Sequence, residues 1–146
     1  MMTMEKEIRK FYIRLILPAL GCDTLMFILE KADVRIFPGE ASGVGILVML
    51  FASAFSAMLL PLWLRIFFIR GMDRARPLTA ANFVRFQKRL LVIALIPLYM
   101  VPAACLFRVP QLPLGGIALF AFYGAYFYFP SAARISLDRK IFRVRD

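Results

Sequence analysis

Residues 41–64 read ASGVGILVMLFASAFSAMLLPLWL, with no charged side chain from end to end. A hydrocarbon core about 30 Å thick takes roughly 20 helical residues at about 1.5 Å each, so this segment is long enough to cross a bilayer. A buried helix of a water-soluble domain is normally shorter and carries a polar face. Three more stretches of the same kind flank it. Residues 11–29 (FYIRLILPALGCDTLMFIL) are interrupted only by Arg14 and Asp23. Residues 90–107 (LLVIALIPLYMVPAACLF) lie between Arg89 and Arg108, and residues 109–133 (VPQLPLGGIALFAFYGAYFYFPSAA) are again uncharged. Four such segments in 146 residues leave almost no chain for a water-soluble core. The fold expected is all-α, an integral membrane four-helix bundle forming a single domain. Its helices fall near 11–29, 41–64, 80–107 (with an interfacial start) and 112–133.

Composition agrees. Hydrophobic residues make up 62% and the formal net charge is +10, with a mean hydropathy of +0.75. Soluble domains hold about half apolar residues. High hydropathy and high charge are compatible when the apolar residues lie in lipid and the charges at the aqueous ends of helices. The basic residues are segregated in that way. Lys6, Arg9, Lys10 and Arg14 precede or open the first segment. Arg65, Arg70, Arg74, Arg76, Arg85, Lys88 and Arg89 flank the middle loop, and Arg134, Arg139, Lys140, Arg143 and Arg145 follow the last segment. The opposite side holds only Lys31, Arg35 and Arg108. Sixteen of nineteen basic residues thus fall on one side, which by the positive-inside rule places both termini and the middle loop in the cytoplasm. Trp63, Tyr12, Tyr126 and Tyr128 fall at the same ends, as expected of an interfacial aromatic belt. The run Ala19-Leu20-Gly21-Cys22 loosely resembles a lipoprotein signal, but apolar residues continue to Leu29, so a retained first helix is expected.

The connections carry turn chemistry. Pro38-Gly39 marks the first loop, and Pro110 with Pro113 a tight hairpin between the last two helices. Pro77-Leu78-Thr79 reads as a helix start, with Thr79 as cap and Leu78 spaced to staple against Phe83. The segment from Ala80 to Arg89 is expected in the membrane interface, Phe83 and Phe86 lying against headgroups beside Arg85, Lys88 and Arg89. Basic residues there attract anionic lipid by about 1 kcal/mol each. Arg74, Arg76, Arg85, Lys88, Arg89, Arg139, Lys140 and Arg143 are therefore candidate contacts for anionic headgroups or a partner. The basic tail interleaves Ile135, Leu137, Ile141, Phe142 and Val144 with its charges, fit to lie on the membrane or dock on a cytoplasmic protein. Topology accounts for the positive charge, so nucleic-acid binding is not expected. Small residues (Ala52 with Ser56, Ser53 with Ala57, and Ala118, Ala121, Gly124 and Ala125) offer faces where helices can approach closely. Pro18, Pro61, Pro97 and Pro102 are expected to kink their helices.

Candidate chemistry is sparse. Histidine is absent, excluding histidine-ligated haem or metal and a histidine general base. Cys22 and Cys105 stand alone and read as small apolar packing residues. No phosphate-binding glycine loop occurs; neither cofactor nor enzymatic activity is expected. Asp23 is the sharp feature: about a dozen residues into the first helix, it lies in or beyond mid-membrane. An ionised carboxylate there costs about 2.5–3.5 kcal/mol unless it is protonated, hydrogen-bonded or paired. Ser53, Ser56, Tyr99 and Tyr123 fall at comparable depth, so Asp23, Thr24, Ser53, Ser56, Tyr99 and Tyr123 are a candidate intramembrane polar site. Two functions follow. The chain is expected to be a small non-catalytic subunit that stabilises or orients a larger membrane complex, with Asp23 as a docking or structural carboxylate. The alternative is a small homo-oligomeric transporter with Asp23 as its proton- or cation-coupling group. In size and layout the chain is similar to small membrane subunits of bacterial tripartite transporters and to small multidrug carriers, without a shared motif; short loops and a preference for Arg over Lys suggest a bacterial inner membrane.

Overall fold

The computed structural model describes residues 2–32, 39, 41–71, 78–142 and 144–145. The chain is almost entirely helical there. Helix α1 spans Met2–Lys31, α2 Gly43–Ala54, α3 Leu60–Gly71, α4 Ala80–Ala94, α5 Ile96–Leu106, α6 Gln111–Phe127 and α7 Ala132–Ile141. A π-turn over Phe55–Leu59 joins α2 to α3, making one rod from Gly43 to Gly71. Three helical runs are long and apolar enough to cross a membrane: Met4–Lys31, Gly43–Gly71 and Ala80–Leu106. A fourth crossing exists if α6 and α7, bent 75° to each other, are counted as one span.

Proline decides where these rods break. The π-turn lies immediately before Pro61, whose missing N–H and bulky ring disturb the α-helical ladder of the preceding turn. Pro97 sits in the first turn of α5 and separates it from α4 at Leu95, which has φ −94° and ψ 0°. By contrast α1 and α5 run on past Pro18 and Pro102. Helix α6 stops at Phe127, short of the Ala133 limit of the uncharged stretch, because Pro130 cannot donate to the ladder. Ser131 then caps α7, its Oγ accepting from the Arg134 N–H at 3.3 Å. Ser42 does the same for α2, accepting from the Gly45 N–H at 3.1 Å.

The α5–α6 hairpin closes as a Schellman motif. The Val109 N–H donates to the Ala104 carbonyl at 3.0 Å and the Arg108 N–H to the Cys105 carbonyl at 3.1 Å. Arg108 takes the left-handed position, with φ 50°. That conformation costs an L residue about 1 kcal/mol, offset by the two bonds and by the apolar cluster that Val109 and Ala104 share with Ile117.

The α4–α5 rod is central: 39% of its most apolar window is buried, against 11% for α1 and 17% for the α2–α3 rod. It contacts α1, α2, α3 and α6. Two glycines of α6 set how closely the neighbours approach. A Cβ on Gly124 would collide with the Ala94 carbonyl oxygen, and one on Gly116 would stand 2.8 Å from Leu50 Cδ1. The small-residue face of α6 therefore meets α4 at one end and α2 at the other. On the α2–α3 rod, Ser53, Ser56 and Ala57 are buried as well.

A larger core occupies the opposite end from the hairpin. Phe68 stacks on Phe86 with centroids 4.0 Å apart, and Phe142 packs against Phe68, Phe83 and Phe86. Phe83 and Phe86 thus point inward, not toward headgroups, because Phe142 folds back from the tail to meet them. The same fold-back pairs Leu78–Thr79 with Val144–Arg145 as two short parallel strands, β1 and β2. Thr79 holds the position before α4 with extended geometry, but its hydroxyl makes no capping bond. Leu78 does pack against the cluster that holds Phe83.

Replacing Gly124 with Ala should lower the unfolding midpoint in detergent, at a cost of about 1–3 kcal/mol from overpacking. Gly115→Ala, with nothing within 4 Å of the added carbon, should leave the midpoint unchanged or slightly raised. Equal behaviour of the two variants would show that α6 does not approach α4 at Gly124.

Candidate functional site

Among the described residues the hydrogen bonds of the intramembrane polar set do not join one helix's member to another's. Thr24 donates to the Leu20 carbonyl at 2.7 Å, Ser53 to the Met49 carbonyl at 2.8 Å and Ser56 to the Ser53 carbonyl at 3.2 Å. Each bond returns to the preceding turn of the same helix, the usual way a hydroxyl is satisfied in an apolar helix. Tyr99 reaches across from α5 to the Leu15 carbonyl of α1 at 2.5 Å. Tyr123 stacks on Phe127 with centroids 5.2 Å apart. Asp23 is half-buried on α1, and its Oδ1 is a buried atom with no hydrogen-bond partner among the described residues. Cys22, expected to pack inside, is instead exposed beside it.

A second polar constellation lies at the Phe142 end, and sequence reading missed it. Asp138 of α7 is 6% exposed. Its Oδ2 accepts from Gln87 Nε2 of α4 at 2.8 Å and from Arg65 Nη2 of α3 at 3.2 Å. One carboxylate thereby joins three helices. Beside it is a cavity of about 200 Å³, whose lining includes Arg65, Gln87, Tyr128, Arg134 and Asp138. The Arg134 guanidinium stands 4.7 Å over the Phe127 ring. An acidic residue in a basic tail was the one available signal. Its partners come from helices distant in sequence, so no spacing rule could have joined them.

The candidate cationic contacts divide into two groups. Lys88 is half-buried and paired at the surface: its Nζ donates to Glu7 Oε1 at 2.6 Å and stands 5.5 Å over the Phe11 ring. Arg85 and Arg89 are exposed on α4, and Lys140 is exposed in the last turn of α7. Arg139 is half-buried in that same turn. Arg74, Arg76 and Arg143 lie outside the described residues. In the expected aromatic belt, Trp63 and Tyr126 are exposed, whereas Tyr12 is buried and donates from its hydroxyl to the Ala125 carbonyl at 2.6 Å. The tail uses Ile135, Asp138 and Phe142 on its own chain and leaves Leu137 and Ile141 exposed.

Removing the Asp138 carboxylate with Asp138→Ala would strand two donors that now converge on it. The expected loss is about 2–3 kcal/mol of stability, read as a lower unfolding midpoint together with faster hydrogen exchange in α7. Exchange unchanged from the parent would mean that the carboxylate does not hold α7.

Comparison with protein families, with curated proteins and with solved structures finds no match to this chain.

Proposed function

We propose that this chain is a small non-catalytic subunit of a larger membrane assembly, a four-helix bundle of the bacterial inner membrane that stabilises or orients its partner. The observation carrying this reading is the isolation of Asp23. Thr24, Ser53, Ser56 and Tyr99 are all committed to backbone carbonyls, so these four make no hydrogen-bonded route to or from the carboxylate among the described residues. A coupling group in a carrier needs such a route; a docking carboxylate needs only a donor supplied by a neighbour. An unpaired carboxylate at membrane depth costs about 2.5–3.5 kcal/mol, and a partner's cationic or hydroxyl group would relieve that cost. Leu20 and Phe27, three and four residues from Asp23 and so on its face of α1, are exposed. This is an apolar surface continuous with the carboxylate, and a second transmembrane helix can cover both together.

The orientation proposed puts both termini and the α3–α4 connection in the cytoplasm. It is supported by the charge bias of the sequence. The ion pairs Lys88–Glu7 and Arg65–Asp138 also gather the start of α1, the end of α3, the start of α4 and α7 at one end.

Extraction from the native membrane in mild detergent should recover a second membrane protein in fixed stoichiometry, and a photo-crosslinker at Phe27 should capture it. Asp23→Leu should reduce that recovery about 3- to 30-fold, the range expected for one intramembrane polar contact. A lone homo-oligomer, or recovery unaffected by the substitution, would refute the docking role. Thiol reagents applied from outside intact cells should fail to label cysteines placed at Lys6 or Lys140. Labelling at both positions would reverse the topology.

A further inference from the structure

We propose that the groove between α3 and α4 is a binding site for one anionic glycerophospholipid, its phosphate held by Arg85 and Arg89 and an acyl chain lying on α3. This rests on the chain lying in a membrane and is independent of any protein partner. The groove encloses about 440 Å³, within the range of small-ligand sites. Its two walls differ in chemistry. Helix α4 contributes Asn82, Arg85 and Arg89, spaced three and four residues apart and so on one helical face. Helix α3 contributes Leu64 and Phe67, and the stacked pair Phe68 and Phe86 forms the floor. Polar donors thus line one side of a single cleft and hydrocarbon the other, in the arrangement that a phospholipid's phosphate and acyl chain require.

Charge favours the same occupant. Arg85 and Arg89 stand one helical turn apart, about 6 Å along the axis, where like charges repel. Among the described residues no acidic side chain lines the groove. The ion pairs among the described residues join Glu7 to Lys88 and Asp138 to Arg65, so neither guanidinium has an acidic partner among those residues. Arg89 also lies further along a helical run apolar enough to cross the membrane. A charge there is costly unless it meets an anion or reaches back to the interface. A phosphodiester between the two guanidiniums removes their repulsion and accepts forked hydrogen bonds from both. A zwitterionic headgroup supplies the same phosphate, but its ammonium group meets two cations, so the site should discriminate.

Trp63 is the single tryptophan of the chain. It is exposed and its ring lies 5.5 Å from that of Phe67, a residue of the groove wall. Its fluorescence therefore reports on a lipid chain at this site. The full-length protein is reconstituted in phosphatidylcholine vesicles in which a minor fraction of lipid carries brominated chains, either as phosphatidylglycerol or as phosphatidylcholine. Brominated phosphatidylglycerol should quench more strongly, with an apparent association about tenfold tighter, in keeping with two basic residues at the membrane surface. R85Q/R89Q should erase the preference, and K6Q/K10Q, which removes equal charge from exposed positions on α1, should retain it. Equal quenching by the two lipids in the parent protein overturns the proposal even if the double variant fails to fold. So does an equal loss in K6Q/K10Q, which would indicate only diffuse surface charge. Displacement of the quenching lipid by soluble glycerol phosphate would mark a site for a free anion and would also overturn it.

Discussion

In a chain this apolar, every backbone carbonyl and side-chain hydroxyl that leaves water must find a partner within the protein, and this requirement shapes the whole molecule. Hydroxyls on α1 and on the α2–α3 rod are taken up by their own helices. Two tyrosine hydroxyls instead reach across to carbonyls of another helix. Where α6 ends ahead of Pro130, the Gly124 carbonyl accepts from the Tyr128 N–H and the Tyr126 carbonyl from the Phe129 N–H. The Ala125 carbonyl between them receives the Tyr12 hydroxyl. One side chain of α1 thus completes the C-terminus of α6. Tyr99 ties α5 to α1 in the same way. Among the described residues Asp23 Oδ1 is a buried oxygen without such a partner, and for that reason it bears the functional reading.

Close packing follows a related logic. Lipid offers helices no hydrophobic drive to associate, so contact area and backbone proximity must supply it. Gly124 and Gly116 let α6 lie against the Ala94 carbonyl and the Leu50 side chain. At the other end, aromatic rings around Phe142 do the work that small residues do elsewhere.

The presence of membrane-length helices was legible in the sequence because it depends on local quantities: run length, the position of charge, and proline. The 41–64 stretch and the start of α4 at Ala80 are cases in point. Proline breaks at residues 61 and 97 were also legible. Helices α1 and α5 each keep a proline inside them, Pro18 and Pro102, as a kinked helix allows. Phe83 and Phe86, by contrast, were misread. On α4 alone they flank arginines and suit an interface; only the returning tail, with Phe142, converts them into core. Asp138 and Tyr12 were lost in the same way, their partners being 51 and 113 residues away in sequence. As for the polar set, position along a helix does not say whether hydroxyls face one another or their own backbone, and those of Thr24, Ser53 and Ser56 return to their own.

The pairing of β2 with β1 has a consequence for the order of assembly. The residues that close the aromatic core, Phe142 and Val144, follow α1 to α6 in sequence and are synthesised after them. Insertion of the helices and completion of the core are therefore separate events in time. Until the tail emerges, Phe68, Phe83 and Phe86 lack the ring that covers them, and Arg65 and Gln87 lack their shared acceptor. A chain at that stage lacks the contacts that hold α7 and the tail to α3, α4 and β1. Arrival of the tail is the step that commits it to one arrangement.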